Sequence, residues 1–517
     1  MRTGNSKALF LKFRDETVIN KCEQYAFWTL AYLMADPREL SMSGRIVVER
    51  DFQEVGALLI NNLSAKLTRL LFPQQFSFFK ASASPKLREW ARKKGKTDLQ
   101  LNADFARLEL QAKQRLFLNA GYASLILSLK YLLVTGNALL YRDSEKGKIT
   151  VWGPNCFSAR RDGTGELLDC VLKEYTTVEA LPEVLQTSLR TANRAKYSRP
   201  EQVVEKYTRI HRESRNGVVG YTVHQEVDCV VVGAESWYPA NLCPWMCPTW
   251  NLIPGEHYGR GLVEDYAGGF AKLSSLSEAA ALYGVEMMRV VHMVGAGSGT
   301  DVDELNSAES GQYVRADAGQ VQAYEAGDYQ KAQQVEAQIQ STFMRLSKAF
   351  MYQGTARQAE RVTAYELQLD AQEAENALGG AISTLSGGIQ VPLAHILMAE
   401  SSPYAETGII MGELMPDVTA GIDALGRSAE TQNLIQAAQE IAGIVPIAQL
   451  DKRLNPQRLV DVILAGRSID PSTVFFTAQE QQANAEAEQA MQNAQASLVK
   501  AQTLGDQSQQ LQSLQGA

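Results

Sequence analysis

Gly136-Asn137-Ala138-Leu139-Leu140-Tyr141 marks the point where the chain changes its periodicity. Upstream, Phe105, Leu116, Phe117, Ala120, Leu125, Leu129 and Leu133 form an apolar-rich helical pattern. Downstream the period falls to two. Residues 139–142, 149–152, 156–161 and 167–175 read as strands, separated by Glu145-Lys146-Gly147 and Asp162-Gly163, which are turn signals. A small antiparallel sheet lying against the preceding helices is expected, and with it an α+β, predominantly helical fold.

Working outward from that block, Leu59, Ile60, Leu63, Leu67, Leu70 and Leu71 lay one apolar stripe on a helix that Pro73 ends. Lys86, Arg88, Arg92, Lys93, Lys94 and Lys96 form a basic cluster on a surface helix or loop. A short helix over 179–189 is expected. It is followed by a hairpin in which 203–209 and 218–232 flank Arg215-Asn216-Gly217, an Asn-Gly turn signal. Residues 237–254 read as an irregular, well-packed loop. From Glu264 a long helix carries Tyr266, Phe270, Leu273, Leu276, Ala280, Tyr283 and Met287 on one seam, to be covered by this chain or by a second copy. Helical periodicity returns over 332–351, 363–382 and 418–468, and the tail from Ala478 is rich in Gln and Ala.

Length and composition bound the possibilities. A chain of 517 residues with 45% hydrophobic and 21% charged residues suggests two to four structural units with ample core material. The net charge of −8 argues against broad gripping of nucleic acid, yet suits a wall along which phosphate slides. Cys22, Cys156, Cys170, Cys229, Cys243 and Cys247 lack the spacing of a disulfide framework. No uninterrupted apolar stretch approaches the ~20 residues of a membrane span, so assembly in a reducing cytoplasm and no membrane partner are expected.

Catalytic chemistry is not legible. Cys243-x-x-x-Cys247 with His257 is the one constellation with a metal-like spacing, and it lacks a fourth ligand, so buried thiols and no metal are expected. His211, His224, His257, His292 and His395 share no ligand or catalytic spacing. Gly295-x-Gly297-x-Gly299 lacks the lysine and helix start of a phosphate-binding loop, so no cofactor or nucleotide site is expected. Arg357 and Arg361, four apart with Gln353 and Gln358 beside them, offer guanidinium forks and exchangeable amide bonds to phosphate. Thr363 and Glu366 have the spacing of a capping box, which would begin a helix at the same place.

The blocks Asn61-Asn62-Leu63-Ser64-Ala65-Lys66-Leu67 through Phe72-Pro73, Gly136 to Tyr141, Tyr258-Gly259-Arg260-Gly261 and Glu360-Arg361-Val362-Thr363-Ala364 occur in this order. In that order the chain resembles the portal, or head-to-tail connector, proteins of short-tailed double-stranded DNA bacteriophages, from about residue 20 to about 480. The resemblance implies a ring, of twelve subunits in the family, and no enzyme. It implies a wing over 1–177 and 291–350, stem helices over 178–195 and 261–290, and a clip over 196–260. A tunnel loop and helix would follow over 351–400, a crown over 401–476, and a helical barrel or frayed tail over 477–517.

Carried over, the tunnel loop places Gln353, Arg357, Gln358 and Arg361 at the DNA channel. The clip offers Arg209, His211, Arg212, Glu213 and Arg215 to partners as an exposed turn, and Tyr266, Phe270, Leu273, Leu276 and Tyr283 form a ring interface. The implied partners are further copies of the chain, double-stranded DNA, a terminase, a tail adaptor, and scaffolding and major capsid proteins. The implied location is the virion, at the portal vertex of the capsid. The basic cluster at 86–96 is then either a solvated face or a contact with packaged DNA or a capsid partner. A scaffold-like minor capsid protein that oligomerises without conducting DNA is the alternative.

Overall fold

The computed structural model describes residues 4–39, 48–74, 77–95, 98–181, 183–193, 196–228, 230–288, 290–295, 301–309, 312–313, 319, 321–325, 329–352, 364–378, 380–401 and 417–420. All fall within one unit, Met1–Leu425. In chain order its main elements begin with α1 (Ser6–Phe13), α2 (Glu16–Phe27), α3 (Val55–Leu71), β1 (Phe79–Ser82), α4 (Pro85–Lys93), α5 (Asp98–Phe117) and α6 (Gly121–Thr135). Then come β2 (Leu139–Asp143), β3 (Lys148–Trp152), β4 (Phe157–Arg161), β5 (Leu167–Thr177), α7 (Glu183–Ala192), β6 (Val203–Arg215), β7 (Val218–Val227), β8 (Val230–Pro239) and β9 (Trp245–Met246). The last are α8 (Ala267–Met287), β10 (Val290–Val294), β11 (Val321–Glu325), α9 (Tyr329–Ala349), α10 (Ala364–Leu378), α11 (Val391–Ala399) and β12 (Asp417–Ala420).

The stripe expected between Leu59 and Leu71 is the buried face of α3, which packs against α6. The apolar pattern of 105–133 is divided into α5 and α6. Ala120 adopts φ 59°, and a side chain on Gly121 would collide with the Leu116 carbonyl, so the chain turns there. Gly136, at φ 74°, ends α6 by donating its N–H to the Leu132 carbonyl at 3.0 Å. Together α2, α3, α5, α6, α8, α9 and α11 enclose the principal core.

The four strands after Gly136 do not form one sheet. β2 pairs with β3 and β9 in a three-stranded sheet, whereas β4 and β5 continue into a five-stranded antiparallel sheet of order β4-β5-β6-β7-β8. Register runs from Asp169 opposite His211 to Thr177 opposite Val203. Residues expected in the wing and in the clip therefore share a sheet.

One face of that sheet packs Phe157, Cys170, Leu172, Ile210 and Val223 with Leu139, Trp152 and Trp245. On the other face α1 sets Phe10 against Val171 and Tyr207. Ser6, at the start of α1, donates its backbone N–H and its hydroxyl to the buried Glu226 carboxylate.

Three further expectations are corrected. Residues 218–232 are not one strand, because the chain reverses at Asp228 (φ 49°) and returns as β8, which includes Trp237. The region 237–254 is less irregular than its Trp and Pro content suggests, since Trp245–Met246 joins the sheet of β2. Helical periodicity from 418 fails at its start: 417–420 pairs antiparallel with β1, Phe79 facing Ala420. Residues 421–517, including the expected tail helix and most of the crown, lie outside the described residues.

The span Ala381–Ala399 is 19 residues long and apolar enough to cross a membrane by length and composition. Since 67% of it is buried inside this chain, it is a core helix, interrupted by a π-helical turn at Ser386–Gln390. Within it His395 is buried, its Nδ1 has no partner, and burial lowers its pKa from 6.5 to about 4. The unfolded chain then binds this proton below pH 6.5 while the folded chain refuses it until about pH 4, so stability falls as pH drops through that window. The expected loss from this group is about 3 kcal/mol. Urea titrations of wild type and His395→Leu at pH 7.5 and pH 4.5 check it, because the variant should lack this share of the acid sensitivity.

Candidate functional site: the signature junction, the clip hairpin and the long-helix seam

Two of the blocks quoted above are brought together by the fold. The Asn137 side chain pairs with the peptide of Gly259, donating from Nδ2 to its carbonyl at 2.8 Å and accepting its N–H on Oδ1 at 2.7 Å. Nδ2 also reaches the Thr135 carbonyl at 2.8 Å, and Trp250 N–H meets the Gly136 carbonyl at 3.0 Å. A buried amide satisfied on both ends fixes the 255–261 loop against the end of α6 more firmly than apolar contact would.

The same loop closes a sheet edge. β4 lies at the margin of the five-stranded sheet, where its outward N–H groups would be open to another strand. Tyr258 Oη accepts Ala159 N–H at 3.3 Å and donates to the Phe13 carbonyl at 3.1 Å, while His257 Nδ1 accepts Arg161 N–H at 3.3 Å. Burial raises the Tyr258 phenol far above its ordinary range, so it remains a donor. The Arg161 side chain then spans the Cys247, Gly165 and His257 carbonyls and the Cys247 sulfur, the last at 3.4 Å.

The Cys243, Cys247 and His257 constellation is thus held by Arg161 and by packing, and the described residues contain no group of His, Cys, Asp or Glu arranged to hold a metal. A hydrogen bond from the Cys170 thiol, with the Arg161 charge beyond it, lowers the Cys247 pKa against the effect of burial. Among the described residues Cys22, Cys156, Cys170, Cys243 and Cys247 are free thiols.

The clip residues are only partly the exposed turn that was expected. Asn216 (φ 53°) and Gly217 (φ 80°) form the tip, with Ser214 and Arg215 exposed beside it. Arg209 and His211 sit deeper, on the strand, because both face Asp169. Arg209 Nη2 lies 2.8 Å and His211 Nδ1 2.8 Å from Asp169 Oδ1, and Arg160 Nη2 binds Oδ2 at 2.7 Å. Arg160, Asp169 and His211 stand directly opposite one another across β4, β5 and β6, a cross-strand polar row. Burial would raise the Asp169 pKa, but the bonds from Arg160 and Arg209 hold it below its ordinary value. Arg212 pairs with Asp162 and Glu166, and Glu213 with Arg215 and Thr222.

The seam of α8 divides in two. Phe270 and Leu273 are wholly buried inside this chain, with Phe270 and Tyr266 set edge-on against Phe350, just beyond α9, at 5.6 and 5.7 Å. Phe270 and Leu273 are therefore core residues rather than an interface, because α9 folds back to cover them. Tyr266 is partly exposed, and Leu276 and Tyr283 are half-buried. The large apolar residues exposed toward the end of this helix are instead Leu282, Val285 and, at its C-cap, Met288, 62–78% exposed and spaced by three. The tunnel residues Gln353, Arg357, Gln358 and Arg361, with Thr363, lie outside the described residues.

Sequence reading missed Asn137, Asp169, Arg142 and Glu400. Asn137 stood inside a quoted block, and Asp169 was the acid within the apolar run 167–172, which is a signal for a charge with a buried partner.

Residues 20–474 match the family described as bacteriophage head to tail connecting protein, and the chain belongs to that family. The portal protein of Pseudomonas phage phiKMV is 43% identical over 94% of this chain and 94% of its own length. That of Enterobacteria phage SP6 is 30% identical, covering 81% of this chain and 79% of the relative. Among solved structures, the neck of an empty GTA particle covers 78% of this chain and 89% of that one at 11% identity, with a TM-score of 0.37. The protein is accordingly a phage head-to-tail connector, a portal protein, and not the scaffold-like alternative.

Proposed function

We propose that the chain closes into a ring, of twelve subunits, at one capsid vertex of the virion, and that its axial channel passes double-stranded DNA during packaging and ejection. It does so without catalysis of its own. The ring assembles in the host cytoplasm with scaffolding and major capsid proteins, receives a terminase at the clip, and later binds a tail adaptor there. Gln353, Arg357, Gln358 and Arg361 face the DNA in this arrangement. The wing, stem, clip, tunnel, crown and barrel follow the ranges given above.

The observation that supports ring closure best is the exposed half of α8, where Leu282, Val285 and Met288 project apolar surface beyond the part covered by α9. A cyclic ring joins two different patches on each copy, and an uncovered apolar helix face supplies one of them. Electron microscopy of the purified protein should show rings with an open axis. Leu282→Asp/Val285→Asp should yield folded, dispersed subunits in native mass spectrometry, since both positions face outward. Leu273→Asp should unfold the chain instead, by placing a charge in its core. Intact rings of the double variant would take α8 out of the interface.

A further inference from the structure

We propose that α4 is a second contact for double-stranded DNA, a phosphate-backbone surface separate from the tunnel loop. Ser84 caps this helix, Pro85 starts it, and Leu87 and Ala91 are buried beneath it. Trp90 is packed against the principal core, so one face is anchored. Lys86, Arg88, Lys93 and Lys94 are all exposed, and among the described residues none of the four makes an ion pair. Four unpaired cations on and just after a nine-residue helix, against the single exposed acid Glu89, concentrate positive charge in a chain of net charge −8.

The choice of partner follows from what the surface lacks. A protein interface is centred on a buried aromatic or aliphatic anchor, and here the aromatic and aliphatic side chains of α4 are turned into the core. What remains outward is charge on long side chains, which binds phosphate without reading bases. Nine helical residues extend about 13 Å. That is the length of about four phosphates along one DNA strand, at about 3.4 Å each.

Closed circular duplex separates this surface from the channel, because a covalently closed circle cannot be threaded through a closed ring. The assembled protein should bind circular plasmid, and its affinity should fall about 100-fold between about 50 and 200 mM salt if four cations engage. The charge-neutral variant Lys86→Gln/Arg88→Gln/Lys93→Gln/Lys94→Gln should bind at least about tenfold more weakly at about 50 mM salt, with a shallower salt slope. Its melting temperature and particle size should be unchanged, since all four side chains are exposed. Equal binding by wild type and variant overturns the proposal, as does failure of wild type to bind the circle. Loss in the variant of binding to poly-L-glutamate alone, with plasmid binding intact, also overturns it and assigns α4 to an acidic protein.

Discussion

Arg142→Leu is expected to destabilise the protein by about 3–5 kcal/mol, the cost of leaving a buried charge without its partner. Arg142 is 1% exposed on β2, yet its guanidinium binds Glu400, just beyond α11, in a two-pronged pair. Nε lies 3.1 Å from Oε1 and Nη2 lies 2.9 Å from Oε2, while Nη1 donates to the Gly147 carbonyl at 2.7 Å. The Glu400 side chain is 5% exposed, and the other cation paired with it among the described residues, Arg115, stands at 3.8 Å with its side chain 41% exposed. Removing the guanidinium strands a carboxylate in a dry site, whereas Arg142→Leu/Glu400→Leu removes both charges and should recover most of the loss. Denaturant unfolding of the three proteins reads both effects. Near-wild-type stability of the single variant would show that Arg115 suffices for Glu400. The pair ties the first strand after Gly136 to the end of the segment expected to carry the tunnel helix, so its loss should loosen that attachment before it disturbs β4 to β8.

What was legible in the sequence is what short-range pattern encodes. The stripe of α3, the stop at Gly136 and the Asn216-Gly217 hairpin each depend on neighbours within a few residues, and each stands where the pattern put it. Strand partnership is not encoded that way. Alternation in 156–161 and 167–175 marks strands, but the pairing of the second with β6, across 25 residues that include α7, rests on the polar row through Asp169 and the apolar face through Cys170 and Leu172. The seam of α8 shows the same limit: spacing shows which face is apolar, and only Phe350 and Leu346, some 70 residues on, decide that Phe270 and Leu273 are covered by their own chain. Residues 417–420 failed as a helix start because a run of four has no period of its own. Of the candidate site, Arg209 and His211 were read as part of an exposed clip turn, but the carboxylate they face lies 40 and 42 residues earlier, so their inward role was hidden.

Gly136→Ala should be still more damaging than the loss of Arg142, because two separate costs coincide at one Cβ. Gly136 has φ 74°, a conformation that costs an L-residue about 1–2 kcal/mol. Gly217, with φ 80° and open space around it, isolates that cost, so Gly217→Ala is the control. At Gly136 the added methyl would also lie 2.4 Å from the Arg260 carbonyl carbon and the Gly259 oxygen, and 2.6 Å from the Gly261 nitrogen. These are backbone atoms with no rotamer to yield, and the opposing strand of chain is held by the two Asn137 bonds to Gly259. Nor can the loop retreat. Gly261 rests against the Leu133 and Val134 carbonyls so closely that its own Cβ would stand 2.8 Å from each. Relief therefore requires separating the 255–261 loop from the end of α6, which breaks the Asn137 amide pairing and withdraws Tyr258 and His257 from the edge of β4. A loss above about 4 kcal/mol is expected, in the range reserved for a disrupted core or a broken buried network. Thermal unfolding of Gly136→Ala and Gly217→Ala side by side measures the difference. If the two variants melt alike, the contact between the signature blocks is loose and Gly136 serves only to end its helix.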